Sequence, residues 1–145
     1  MVHLYCGEGK GKTTAAMGLA LRMAGRGKRV VVAQFLKGAD SGERYALAML
    51  PQVTLLPLPE RVKFSFQLTP EEREAEQARY LALAEQARTL GAQPDCGLLV
   101  LDEVIDATYG FLPMEELCAF LDGRPEGMEV AITGHSLPPQ LAERA

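Results

Sequence analysis

The residues best suited to chemistry stand near the start of the chain. Gly7-Glu8-Gly9-Lys10-Gly11-Lys12-Thr13-Thr14 sets three glycines and two lysines directly before two hydroxyls. Glycines let a backbone curl until consecutive N–H groups converge on one anion, and a helix N-terminus behind them adds its dipole. In that setting Lys12 neutralises terminal phosphates and the Thr13 hydroxyl ligates Mg2+. The run departs from the pattern GxxxxGK[ST] at one place, Cys6 standing where the first glycine would be. A solvated glycine turn is the alternative, and the apolar strand pattern before the run and the helical pattern after it favour nucleotide phosphate.

A second group completes such a site. Asp102-Glu103 closes an apolar run, where either acid could hold Mg2+ or its waters, the alternative being a helix-capping pair. Thr133-Gly134-His135 closes another, where His135 is either a donor to a phosphate oxygen or a plain turn residue. His3 lies inside the first apolar run and is expected as a satisfied, partly buried histidine. Phe64 and Phe66 flank Ser65 and share a face if extended, which by default means core packing. Three cysteines without CxxC spacing give neither a zinc knuckle nor a disulfide framework, and Cys96 and Cys118 are expected as buried small hydrophobes.

The elements that must position these groups follow from hydrophobic periodicity. Strands are predicted at Val2 to Tyr5, Arg29 to Phe35, Val53 to Leu56, Gly97 to Leu101 and Glu129 to Thr133, alternating with helical patterns, hence a parallel α/β sheet. Val30 to Ala33 and Leu98 to Leu101 are continuously apolar, as in central strands covered on both faces. A helix is predicted from Lys12 to Ala24, closed by Gly25 and Gly27; being apolar on every side from Ala15 to Leu21, it is expected in the interior. A second opens at Thr69-Pro70-Glu71-Glu72 with a capping box and carries Tyr80, Leu83, Ala84, Ala87 and Leu90 up to Gly91. A third follows Pro113 with Leu117, Phe120 and Leu121. In open parallel sheets ligands collect outside the carboxyl ends of strands. Here four strand ends bring polar groups to that edge: the glycine loop, Gln34 with Lys37, Asp102-Glu103, and Thr133 to His135.

Length and composition set outer limits. A chain of 145 residues with 48% hydrophobic residues is expected to form one domain, residues 1 to 145, and is neither disordered nor fibrous. No apolar stretch reaches the length of a membrane span. Met1-Val2-His3-Leu4-Tyr5 runs straight into the glycine segment without a leader pattern, so the cytosol is the expected compartment. The net charge of -4 divides into +6 over residues 1 to 37 and -10 over the rest, which argues for a local anion site and against nucleic acid as partner.

Taken in order, these segments resemble the ATP:corrinoid adenosyltransferases. Cys6 to Ala16 is similar to the family's TGNGKGKTTAA loop, and Gly18-Leu19-Ala20-Leu21-Arg22 to its GLALR helix. Gln34-Phe35-Leu36-Lys37-Gly38 resembles QF-x-KG, Gly42-Glu43 its GE, Leu101-Asp102-Glu103 its LDE, and Arg124-Pro125 with Thr133-Gly134 its RP and TGR elements. The substitution of the first loop glycine is itself a trait of that family. Glu8 stands where Asn or Asp is commoner, His135 where the arginine of TGR stands, and the chain is shorter than the larger members.

The resemblance implies a RecA-like P-loop fold and an unusual reaction for it. A cobalt(I) corrinoid attacks the 5′ carbon of ATP and expels triphosphate, so no protein general base is needed. Gly7, Glu8, Gly9, Lys10, Gly11, Lys12, Thr13 and Thr14 would hold the triphosphate, with Arg22, Lys37 and His135 as further ATP contacts. Lys12, Thr13 and Glu103 would form the catalytic set, with Mg2+ on Thr13 and Glu103 and Asp102 behind them. Lys63-Phe64-Ser65-Phe66 corresponds to the family's GFTW-like segment, which would put Phe64 and Phe66 against the corrinoid. A homodimer and a flavoprotein reductant are also implied. Two other classes compete: an ATPase or small-molecule kinase cleaving the γ-phosphate, and a non-catalytic member that only binds nucleotide or corrinoid.

Overall fold

The computed structural model describes residues 1–7, 11–37, 41–58 and 67–145. Glu8, Gly9, Lys10, Phe64 and Phe66, all named above as site residues, lie outside them. Five strands form one sheet: β1 (Val2–Cys6), β2 (Arg29–Gln34), β3 (Val53–Leu55), β4 (Cys96–Asp102) and β5 (Val130–Gly134). Their order is β1-β5-β4-β2-β3, and every pairing is parallel. The helices are α1 (Lys12–Gly25), α2 (Gly42–Leu47), α3 (Pro70–Gly91), α4 (Val104–Ala107), α5 (Met114–Asp122) and α6 (Pro139–Ala142). This is the parallel α/β arrangement predicted from the alternating pattern, and it is consistent with the RecA-like fold that the resemblance implies.

Alternation along each strand builds two cores from continuously apolar runs. Val31, Ala33, Leu99, Leu101, Val130 and Ile132 face one side, where α3, α4 and α5 cover them with Tyr80, Leu83, Ile105, Leu117 and Leu121. Val30, Val32, Leu98, Val100 and Ala131 face the other, under Ala16, Met17, Ala20 and Ala24 of α1 and Leu47 of α2. Successive side chains point to opposite faces, so a strand buried on both sides needs no polar residue until it ends. The predicted central strands are indeed interior, β4 in the middle and β2 beside it.

The α3 start signal works as read: Thr69 accepts from the Glu72 N–H, and Glu72 accepts from the Thr69 N–H. In the α3 core Tyr80 stacks on Phe35, centroids 5.7 Å apart, and meets Phe111 edge-on at 5.4 Å. His3 is half-buried and bonded through Nε2 to Glu129 Oε2 at 2.7 Å, as expected.

Three expectations need correction. Helix α1 is not interior all round: Ala15 and Gly18 are exposed and Leu21 is 56% exposed, because the sheet covers one side and an Ala/Gly-rich helix carries few bulky groups on the other. Gly25 belongs to the helix itself; Gly27 takes the left-handed conformation at φ 80° that closes it. Cys96 and Cys118 are only half-buried, packed at the border of the α3 core. Among the described residues no helix is long and apolar enough to cross a membrane.

Candidate functional site

Sheet register assembles the centre of the site. Gln34 on β2 and Asp102 on β4 are direct neighbours, and Thr133 closes β5 on the next strand. All three continue the alternation of the α1-side core, following Val32, Val100 and Ala131 at intervals of two. Their side chains therefore emerge on the face where α1 begins, and all three are fully buried. Gly7 at φ 130° follows β1 and Gly11 at φ 99° precedes α1, and Gly11 accepts the first helical bond, from the Ala15 N–H at 2.8 Å. The left-handed values are accessible without penalty to glycine alone.

Asp102 is the hub. Its Oδ1 accepts from the Thr13 hydroxyl at 2.9 Å and the Thr133 hydroxyl at 2.8 Å; its Oδ2 accepts from Gln34 Nε2 at 3.1 Å and Lys37 Nζ at 2.6 Å. A carboxylate offers about four lone-pair sites, and here each has a donor. Lys37 spends its remaining two protons on Thr13 Oγ1 at 3.0 Å and Glu43 Oε1 at 3.3 Å. Gln34 donates to Glu43 Oε1 at 3.1 Å and accepts from Arg44 Nη1 at 2.9 Å, while Arg44 Nη2 donates to the Leu56 carbonyl at 3.1 Å. The chain of bonds thus runs from the β3 edge to β5, with Lys37 and Arg44 balancing Asp102 and Glu43.

The charges respond to this setting. Burial alone would lower the Lys37 pKa, but the bond to Asp102 and the charges of Asp102, Glu103 and Glu43 outweigh it and hold the ammonium above its usual 10.5. Burial likewise pushes Glu43 upward, yet its backbone bond, the Lys37 charge and the Gln34 and Lys37 bonds bring it below the usual 4.5. For Glu103 burial prevails, helped by Asp102 and Asp106 against Lys37 and His135, so its carboxyl sits above 4.5. Burial and the Asp106 charge also raise the Cys6 thiol despite Lys12, which keeps it neutral rather than a thiolate nucleophile.

Glu103 adopts a left-handed backbone at φ 59° and donates its N–H to Thr133 Oγ1 at 2.7 Å. Leu36, between Gln34 and Lys37, is left-handed too at φ 56°. Such values cost a non-glycine residue roughly 1 kcal/mol or more, and both turn the chain sharply at the carboxyl edge. Gly134 cannot carry a side chain: a Cβ there would lie 2.4 Å from Ile105 Cβ. Beyond it, His135 gives its N–H to Asp106 Oδ1 at 3.1 Å and its Nδ1 stands 2.8 Å from Asp106 Oδ2, leaving the ring 62% exposed.

Of the residues read from the sequence, the structure brings Thr13, Lys37 and Asp102 into direct contact, with Glu103 beside them and Gly7, Gly11, Lys12 and Thr14 at the turn into α1. His135 stands at the same edge, tied to Asp106. Arg22 is not brought there: it is exposed in the last turn of α1, about 15 Å along the helix from Lys12 at 1.5 Å per residue. Arg44 and Asp106 join the site without having been singled out. Arg44 adjoins the Gly42-Glu43 pair, a signal that was present; Asp106 sits on a helix of one turn, which leaves no periodicity to read.

The donor set suits a hard cation. Thr13, Asp102 and Glu103 offer oxygens alone, and among the described residues no three His, Cys, Asp or Glu gather to hold a metal by themselves. That is the expected pattern for Mg2+, which takes one or two protein oxygens and completes its shell with phosphates and water.

Comparison with known proteins agrees over the full length. The sequence model of the family described as ATP:corrinoid adenosyltransferase BtuR/CobO/CobP matches residues 1–145. Corrinoid adenosyltransferase CobA of Salmonella typhimurium (strain LT2) is 37% identical over 152 residues, covering 100% of this chain and 72% of that protein. Corrinoid adenosyltransferases of Pseudomonas aeruginosa and Escherichia coli (strain K12) are each 34% identical, covering 98% and 100% of this chain and 70% and 72% of their own lengths. The chain belongs to the ATP:corrinoid adenosyltransferase family.

Proposed function

We propose that this protein transfers the 5′-deoxyadenosyl group of ATP to a cobalt(I) corrinoid and releases triphosphate. The observation that carries this reading is the buried Asp102–Thr13–Lys37 cluster at the start of α1, in a chain of this family. Lys12 and the amides from Gly7 to Thr13 form the P-loop that binds the triphosphate, with Thr14 in the first turn of the helix and His135 as a further donor. Thr13 and Glu103 would hold Mg2+, which when bound would supply positive charge against the charge of the departing triphosphate. Asp102 positions Thr13 by accepting the hydrogen bond of its hydroxyl, which leaves the oxygen lone pairs for other partners. The cobalt–carbon bond forms as the C5′–oxygen bond breaks, the electron pair leaving with the triphosphate, so no proton has to be removed from the nucleophile. That economy fits Asp102, whose lone pairs are already taken. Phe64 and Phe66 are assigned to the corrinoid by the family pattern, and a cytosolic homodimer served by a flavoprotein reductant completes the reading.

One observation favours a second reading. Glu103 follows Asp102, is partly buried and holds its proton more tightly than an ordinary glutamate, so it could take a proton from water and support γ-phosphate cleavage. Anaerobic incubation with MgATP and a chemically reduced corrinoid separates the two. Triphosphate with a light-sensitive adenosylcorrinoid is the expected result. ADP and phosphate with an unchanged corrinoid spectrum would overturn it, and nucleotide binding without product would leave only a binding module.

A further inference from the structure

The site carries a cation of its own, the Lys37 ammonium against Thr13 and Asp102. We infer that Lys37 acts as a tethered stand-in for the divalent metal, excluding it until the metal arrives together with a triphosphate. The inference rests on the proposed MgATP site and adds an order of binding to it.

Lys37 Nζ touches two of the three groups that would receive or orient the metal, Thr13 Oγ1 at 3.0 Å and Asp102 Oδ2 at 2.6 Å. It occupies one of the two lone pairs with which the threonine hydroxyl could ligate. Magnesium binds oxygen at about 2.1 Å, so a divalent ion on Thr13 Oγ1 would lie within about 5 Å of the ammonium. At that range in a partly buried site the two cations repel strongly. Lys37 and Arg44 together balance Asp102 and Glu43, so Glu103 is the carboxylate of this cluster left to draw in a metal that arrives alone.

A triphosphate changes the balance. Its negative charge offers Lys37 a second set of acceptors and brings the metal's other ligands with it. Glu43, 3.3 Å from Nζ, is a contact the ammonium can keep when it leaves Asp102 and Thr13. The left-handed turn at Leu36 sets the root of the side chain at this point. Lys37 is therefore a positioning residue whose displacement couples nucleotide to metal.

The test reads metal binding without turnover. Mn2+ is titrated into nucleotide-free protein and free Mn2+ is followed by electron paramagnetic resonance, for wild type, Lys37→Met and Lys37→Arg. Wild type and Lys37→Arg should bind Mn2+ only in the millimolar range, and Lys37→Met at least tenfold more tightly. Equal affinity in Lys37→Met and wild type, or Lys37→Arg behaving like Lys37→Met, would overturn the inference. Should Lys37→Met not fold, micromolar Mn2+ binding by the nucleotide-free wild type would overturn it alone, and millimolar binding would support it if protein-bound Mn2+, counted apart from the Mn2+ that a non-hydrolysable ATP analogue chelates in buffer, tightens at least tenfold with that analogue. Because none of these readings involves corrinoid, a wild type that makes no adenosylcorrinoid would defeat the proposed function and leave this result standing.

Discussion

The two ends of the same parallel sheet solve opposite problems. At the amino end charges meet in isolated pairs near solvent: His3 with Glu129 at 2.7 Å, and Arg29 with Asp95 at 3.7 Å and with Gln93 at 3.1 Å. At the carboxyl end Asp102 is fully buried and shares its oxygens among Thr13, Thr133, Gln34 and Lys37, which come from different segments of the chain. A buried carboxylate is tolerated when every lone pair is met, and meeting them here requires several elements to arrive in register. The amino end only has to close turns, whereas the carboxyl end has to hold charge out of water in a fixed arrangement. Stability and chemistry should therefore be coupled at one end and separate at the other.

The largest effect should come from removing the hub. Asp102→Ala takes one acceptor each from Lys37 and Gln34, which keep Glu43, and leaves the Thr13 and Thr133 hydroxyls without theirs; breaking a buried ion pair from one side costs about 3 to 5 kcal/mol. Urea unfolding should show a loss of that size together with loss of adenosyl transfer. Asp102→Asn keeps the volume and one oxygen acceptor for these donors, so it should cost less. A loss below about 1 kcal/mol for Asp102→Ala would erase the contrast between the two ends.

Next in size is the close approach that delivers β5 to the site. Gly134→Ala would set a Cβ 2.4 Å from Ile105 Cβ, so the strand end or α4 must shift, at about 1 to 3 kcal/mol by the usual cost of overpacking. The contact is with Cβ, so trimming Ile105 to alanine should not restore stability. Rescue by that trim, measured by thermal unfolding of the double variant, would show that the side chain and not the backbone approach is limiting.

This end was also the less legible in sequence. The strands could be read because Val30 to Ala33 and Leu98 to Leu101 are apolar throughout, and α3 because Thr69 to Glu72 is a complete start signal. Strand-end polarity pointed to the carboxyl edge, where Gln34, Lys37, Asp102 and Thr133 meet. Which groups touch was another matter, because Asp102 meets Gln34 and Thr133 only through the order β5-β4-β2, and strand order leaves no trace in local periodicity. Glu43 and Arg44 ride on six residues of α2, and Asp106 on four of α4, too few for a helical stripe to register. The left-handed Glu103 and Leu36 run against the propensity of their residue types, and those are positions where tertiary contacts override local preference.

Two glutamates of the site should respond to pH with opposite sign. Glu43 has a folded pKa below 4.5, so it adds stability above pH 4.5 that is lost as pH falls through the lowered value. Glu103 has a folded pKa above 4.5, so the folded state binds its proton better, and its contribution declines as pH rises from 4.5 through the raised value. Urea midpoints from pH 3 to 8 should therefore fall less steeply on the acid side for Glu43→Gln than for wild type. Glu103→Gln should be at least as stable as wild type near pH 7, with the difference closing toward pH 4.5, although it removes a proposed metal ligand. The same sign for both would mean that Glu103 is paired like Glu43, and the carboxyl edge would lose the one charge it leaves under-compensated.

The smallest effect belongs to the amino end. Glu129 meets His3 with its side chain 36% exposed, and the terminal amine is 4.0 Å away. Surface pairs of this kind contribute less than about 1 kcal/mol, because water already solvates both partners and ordering them costs side-chain entropy. Glu129→Gln keeps an oxygen acceptor for His3, so unfolding should change by under about 0.5 kcal/mol, and any change should fade in high salt. Adenosyl transfer should be unchanged, since Glu129 adjoins the start of β5 while the phosphate edge lies past its end. A drop in turnover with unchanged stability would be the informative failure: it would mean that the β1–β5 register, which places Cys6 beside Gly134, depends on a charge pair five residues away.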